Sequence, residues 1–241
     1  MITYVESNFV LELAFRQEDS ASCEELLALA ESRQIELLIP AYCLGEPFER
    51  LVRRDRQRRE VYRKLSDELR ELARSAPYAE AAANLANLTG LLVESGEHEM
   101  NRFNGVIGRL LDIATIIPLD RDVFRSGLLA RRTLGLSPQD AIVYASVHSR
   151  VAQQQTSPQC FINKNSRDFL VPEIIEDFEA RNCKLIGKFS DGLTYVRSTL
   201  APESNQAHKS RTDQSEFLFW SELLQKKRHP RVAFLFPNRV V

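Results

Sequence analysis

Cysteine, methionine and tryptophan are scarce in this 241-residue chain, at four, two and one. The cysteines, Cys23, Cys43, Cys160 and Cys183, stand far apart, form no C-x-x-C pair and have no histidine at ligand spacing. They read as small buried hydrophobes in a reducing compartment rather than as zinc ligands or disulfides. No charge of one sign dominates: 32 Lys and Arg face 33 Asp and Glu, for a formal net charge of −1. There is then no global pull toward nucleic acid or anionic membrane, and any such affinity has to be local. No apolar segment approaches the length of a membrane span, and no basic region followed by an apolar run opens the chain. The expectation is a cytoplasmic protein with no membrane partner. The glycine-rich phosphate loops G-x-x-x-x-G-K-[ST] and G-x-G-x-x-G are missing, as is a G-x-S-x-G elbow. His98 in "GEHEMNRF" has no second histidine four residues on.

What is present is an alternation of short β-rich runs with helical patterns, the signature of a parallel sheet flanked by helices. Strands are expected at Ile2–Val5, Ile35–Pro40, within "IATIIPLD" (113–120), at Gln159–Asn163 and at Cys183–Gly187. Helical spacing links Phe9, Val10, Leu13 and Ala14, and continues over 23–33, 123–134 and 172–181. A long helical middle spans about 47–114, with breaks expected near Pro77, Gly90 and Gly96. Gly135 is a natural helix stop. "LSPQDAIVYAS" starts a helix by rule, with Ser137 as N-cap and Pro138 at the first helical position. "SDG" at 190–192 reads as a tight turn, which makes Leu193–Val196 an antiparallel edge strand. From Ala201 to Glu216 the composition turns polar, as in a linker, before the apolar and basic segments "FLFWSELL", "QKKRHPR" and "VAFLFPNRVV". The expected division is a domain over 1–199 and a C-terminal extension over 200–241.

Four acids share one setting. Glu6 follows the first strand, and Glu46 lies shortly after the second in "IPAYCLGEPFERL". Asp140 opens the "SPQD" helix, and Asp168 follows the strand Gln159–Asn163 in "FINKNSRDFL". In an open parallel sheet the strand ends and the starts of the following helices share one edge, where ligands bind. Four carboxylates crowded there would repel one another, and a hard divalent cation such as Mg²⁺ or Mn²⁺ relieves that repulsion. Each acid alone also has a plain structural explanation. Asp140 completes a capping box with Ser137; Glu46 suits a helix surface, and Asp168 a solvated loop. Glu6 resists such an account, because a buried strand rarely ends in an unpaired carboxylate.

At these residues the sequence resembles the PIN-domain family of metal-dependent ribonucleases, which includes the toxins of many toxin–antitoxin pairs. The matching segments are "YVESNFVL", Glu46 after the second strand, "SPQDAIVYAS" and "NKNSRDF", in the family's order over roughly residues 1–197. The resemblance implies a three-layer α/β/α sandwich around a short, mostly parallel central sheet. It also implies that Glu6, Glu46, Asp140 and Asp168 bind Mg²⁺ or Mn²⁺ and that water attacks the phosphodiester of RNA. Ser7, Asn8 and Asn165 would then orient the carboxylates or the water. An antitoxin-like protein and a homodimer are the further partners it suggests. This chain departs from the family in carrying Glu rather than Asp at position 6, and Pro47 directly after Glu46. Proline inside a helix removes a hydrogen bond, so a helix beginning at Pro47 is expected.

Those departures motivate a second reading, a weakly active or inactive PIN-like domain that binds RNA or a protein partner without cutting. A third makes the acids helix caps in a structural partner domain. Metal binding separates the third reading from the other two, and metal-dependent turnover separates the first from the second. The densest basic stretch, "RLVRRDRQRRE" over 50–60, holds six arginines. Arg53, Arg54 and Arg56 are its candidate RNA contacts through backbone phosphates, against the alternative of a solvated helix neutralised by Asp55 and Glu60.

Overall fold

The strands are short, and burial is deepest in the central three: β1 (Ile2–Val5), β2 (Glu36–Pro40), β3 (Thr115–Ile117), β4 (Gln159–Ile162) and β5 (Cys183–Ile186). Every residue of β1 and β4 is buried, as expected of strands covered by helices on both faces. The computed structural model describes residues 1–154 and 157–201, without the side chains of 86–88. Met1–Leu200 forms one compact unit.

All pairings are parallel and the strand order is β3-β2-β1-β4-β5. From β1 the chain steps outward twice, through α1 (Ser7–Phe15) and α2 (Ser20–Glu31) to β2, then through α3 (Tyr42–Ala73) and α4 (Ala79–Ile113) to β3. It returns through α5 (Arg121–Leu134) and α6 (Pro138–Val151) to β4 on the other side of β1. It then reaches β5 through α7 (Ser166–Phe169) and α8 (Pro172–Glu179), and α9 (Phe189–Leu200) follows β5. Right-handed crossovers put connections that run in opposite directions on opposite faces. The ring contacts agree: Phe9 of α1 meets Phe189 of α9 on one face, and Tyr144 of α6 meets Phe178 of α8 on the other. The result is the three-layer sandwich, with Tyr4, Leu38, Ile39 and Phe161 at its centre. No helix among the described residues is long and apolar enough to cross a membrane.

Three expectations are corrected. The sheet is all-parallel among the described residues, because Leu193–Val196 is helical rather than an edge strand. Phe189, Gly192, Leu193 and Val196 are the buried residues there, at the i, i+3, i+4, i+7 spacing of a helix stripe rather than the period of two of a strand. Gly192 is not a turn residue; a Cβ on it would run into the Ile162 side chain of β4, so it lets α9 lie tight against the sheet.

The helical middle breaks near Pro77 but not at Gly90 or Gly96, both inside the continuous α4. Glycine costs a helix only about 1 kcal/mol relative to alanine, and the packing of α4 along α3 outweighs that. At Gly96 a Cβ would come within 2.7 Å of an Asp55 carboxylate oxygen, so its smallness serves the helix contact. Finally, α3 begins at Tyr42, not at Pro47; the proline is buried inside the helix, where it cannot bond the Cys43 carbonyl. Apart from Ala201, the linker from Ala201 to Glu216 and the segments after it lie outside the described residues.

Candidate active site

The sheet changes direction between β1 and β4, whose connections leave toward opposite edges. A crevice opens at such a switch point, beyond the carboxyl ends of the strands. Glu6 leaves β1 there, and Asn163, Lys164 and Asn165 leave the paired strand β4, since Val5 and Ile162 are register partners. A cavity of about 530 Å³ lies at this edge, lined among others by Glu6, Ser7, Asn8, Glu46, Arg50 and Asp140. Three of the four acids therefore converge on one space from three separate segments of chain.

Glu6 is the N-cap of α1, and its carboxylate accepts from the Asn8 backbone N–H at 2.8 Å. Its other oxygen accepts from the Lys164 backbone N–H at 3.2 Å. The side chain is buried and, among the described residues, pairs with no cationic side chain. Burial therefore pushes its pKa up to about 7, against the pull of those two N–H groups and with a further push from Glu46. Glu46, half-buried on α3, accepts a hydrogen bond from the Ser7 hydroxyl.

Asp140 is at once a capping residue and a cavity residue. Its backbone N–H donates to the Ser137 hydroxyl at 3.2 Å, and the hydroxyl donates to its carboxylate at 2.6 Å. The two readings of Asp140 are compatible because the cap fixes where the carboxylate points. Asp168 is exposed on α7 and is not among the residues lining the cavity. It is tethered instead: the Asn165 side-chain amide donates to Asp140 at 3.0 Å and to Asp168 at 2.9 Å.

The donor chemistry is all oxygen. The four thiols are buried and free, and burial raises the pKa of each, so none is a soft metal ligand or a nucleophile. Among the described residues, no three His, Cys, Asp or Glu side chains are drawn together closely enough to hold a metal ion. The hydroxyls of Ser7 and Ser137 and the Asn165 amide occupy carboxylate oxygens of Glu46, Asp140 and Asp168. The lining nonetheless holds three acids, and one of them, Glu6, is buried with no countercharge among the described residues, which suits a hard cation such as Mg²⁺ or Mn²⁺.

The arginines separate into two groups. Arg54 sits over the Phe15 ring at 4.5 Å and 3.7 Å from Glu99, so it faces away from the candidate role. Arg53 and Arg56 are exposed. Two charged lining residues, Arg50 and Lys164, were not among the site residues expected from sequence. The ammonium of Lys164 lies 2.6 Å from the buried carboxylate of Glu12. Glu12 was the available signal: a single acid inside the apolar run "FVLELAF" needs a partner.

Comparison with known proteins adds three findings. A family model described as "PIN domain" matches residues 4–169. Among solved structures, the crystal structure of VapBC2 from Rickettsia felis bound to a DNA fragment from their promoter aligns at 14% identity. The alignment covers 77% of this chain and 97% of that one, with a TM-score of 0.38. Comparison with curated proteins gives no match.

Proposed function

Because this chain belongs to the PIN-domain family over residues 4–169, we propose that it is a divalent-metal-dependent ribonuclease that hydrolyses RNA phosphodiester bonds. The observation that carries this reading is the convergence of Glu6, Glu46 and Asp140 on one cavity at the switch point of the sheet. Asp168 stands next to Asp140 through their shared hydrogen-bond donor, Asn165.

Glu6, Asp140 and Asp168 would hold Mg²⁺ or Mn²⁺, with Glu46 as a further ligand or as the base that orients the water. When bound, such an ion supplies a more acidic water and a positive charge against the phosphate. The protein's own contribution is placement. The backbone N–H groups of Asn8 and Lys164 aim the Glu6 carboxylate. The Ser7 hydroxyl fixes Glu46, and Glu46 can take the proton of the attacking water; the water oxygen bonds to phosphorus as the bond from phosphorus to the leaving ribose oxygen breaks, and that oxygen takes a proton from solvent. Ser137 and Asn165 fix Asp140 from either side. The substrate is RNA, and an antitoxin-like protein and a second copy of the chain are the partners this reading carries with it.

A non-cutting RNA- or protein-binding role has one observation in its favour: the carboxylates engage neighbouring hydroxyl and amide groups and are not drawn into a closed ligand set. Incubating the purified full chain with a mixed, structured RNA pool in Mn²⁺, Mg²⁺ or chelator, alongside Asp140→Asn, decides between them. The ribonuclease reading expects cutting in Mn²⁺ or Mg²⁺, none in chelator, and none from the variant. Mn²⁺ binding by calorimetry with no cutting supports the binding role. Absence of metal binding overturns the four-acid site.

A further inference from the structure

The six arginines of 50–60 are not equivalent. Arg58 makes two hydrogen bonds to Glu99 of α4, at 2.8 and 2.9 Å, and Arg54 shares the same carboxylate. Arg59 bonds Asp55 one turn back at 2.8 Å. These three are engaged by acids, and Arg54 and Arg58 hold α3 to α4 through Glu99. Arg50, Arg53 and Arg56 are exposed and have no acidic partner among the described residues.

Helix geometry divides the unpaired three again. Arg50 and Arg53 lie four and seven residues beyond Glu46, so they continue the face that carries Glu46 into the cavity. Arg56, ten residues on, is turned away from that line by about 80°. Arg50 itself lines the cavity, whereas the other cation in the lining, Lys164, is held by Glu12 at 2.6 Å and Asp19 at 3.4 Å. Among the described residues Arg50 is therefore the unpaired cationic side chain at a cavity whose carboxylates repel phosphate.

We propose that Arg50 and Arg53 form a phosphate-binding track on α3 that carries the RNA backbone into the cavity beside Glu46. The proposal rests on the ribonuclease reading for the identity of its ligand. A guanidinium presents a planar fork of donors that matches two oxygens of one phosphate. Two such forks a turn apart, free of internal acids, bind successive backbone positions without reading the bases.

The test is fluorescence anisotropy of a labelled single-stranded RNA of about 12 nucleotides, with the full chain in chelator, titrated over a range of salt. Three proteins are compared: wild type, the double variant Arg50→Gln/Arg53→Gln, and the double variant Arg70→Gln/Arg74→Gln. Arg70 and Arg74 pair with Asp67 and Glu71 at 3.0 and 3.2 Å, so the second variant makes the same change in charge away from the track. The expected result for the first variant is a Kd raised roughly tenfold and a log–log salt slope shallower by about 1.4, as for two lost single-strand phosphate contacts. The expected result for the second is a Kd within about twofold of wild type. Equal losses in both variants, no loss in the first, or no binding by wild type overturns the track. Metal-dependent cutting is read separately. Its absence with this affinity pattern intact sinks the ribonuclease reading alone, and its presence without the pattern sinks the track alone.

Discussion

The carboxylate of Glu12 is buried at the centre of an apolar helix and lies 2.6 Å from the ammonium of Lys164, the residue whose backbone N–H holds Glu6. One ion pair thus ties the inside of α1 to the loop that completes the site. Removing one partner of a buried pair leaves a desolvated charge, which costs about 3–5 kcal/mol when both are buried. Lys164 is partly exposed, and the Asp19 backbone N–H also donates to Glu12, so Lys164→Met is expected to cost roughly 2 kcal/mol. The double variant Glu12→Gln/Lys164→Met should recover part of that loss in urea denaturation. Equal stability of Lys164→Met and wild type would show that the pair does not anchor the loop.

The second prediction concerns pH. Burial raises the Glu6 carboxyl from an ordinary 4.5 to about 7 in the folded chain. For an acid shifted upward, the fold disfavours the ionised form. There is no penalty below about 4.5, where both states are protonated; it grows between 4.5 and 7 and is complete above 7. The metal-free protein should therefore lose stability at this site as pH rises through that window, by at most about 3 kcal/mol. Mn²⁺ should restore it above pH 7, where Glu6 is already ionised, and should release a proton on binding below pH 7, where Glu6 is protonated; Glu6→Gln should weaken both responses. Thermal melts across pH with chelator or Mn²⁺ measure this directly. A Glu6-dependent stability that rises with pH in chelator would refute the shift.

A third prediction follows from Asn165, whose amide donates to Asp140 and Asp168 together. Asn165→Ala removes that shared donor while leaving the backbone turn. Groups that orient metal-site ligands typically carry about 10–100-fold in metal affinity or activity. Metal-dependent cleavage by Asn165→Ala should fall by that order, with a higher Mn²⁺ requirement and little change in melting temperature. Unchanged cleavage would remove Asp168 from the site.

Much of this was legible from residue order alone. The strands β1, β2 and β4 are short apolar runs buried almost throughout, and Ser137, Pro138 and Gly135 mark helix ends by local chemistry that tertiary context does not override. The convergence of Glu6, Glu46 and Asp140 was readable because parallel strands deliver their carboxyl ends to one edge. The partners were not readable. Nothing local tells that Lys164 turns to Glu12, or that Arg54 and Arg58 are taken by Glu99, since those contacts cross between segments far apart in sequence. Glycine was the least legible residue. The signal for a break or a turn is conformational freedom, whereas at Gly96 and Gly192 what matters is the space a missing Cβ leaves for a neighbour.

That distinction is testable at Gly192. If Leu193–Val196 paired as a strand after a turn, alanine at 192 would cost backbone strain and little else. In α9 the residue is helical without a positive φ, so alanine costs no strain; it suits a helix better by about 1 kcal/mol. The opposing effect is steric, because the new Cβ meets the Ile162 side chain of β4. Overpacking a tight core costs about 1–3 kcal/mol, so Gly192→Ala should destabilise by roughly the difference, up to about 2 kcal/mol. Shortening the neighbour decides the cause: Gly192→Ala/Ile162→Val should be more stable than the sum of the single changes, a coupling read from a double-mutant cycle in urea. Strict additivity would mean that the two residues do not touch and that α9 lies elsewhere.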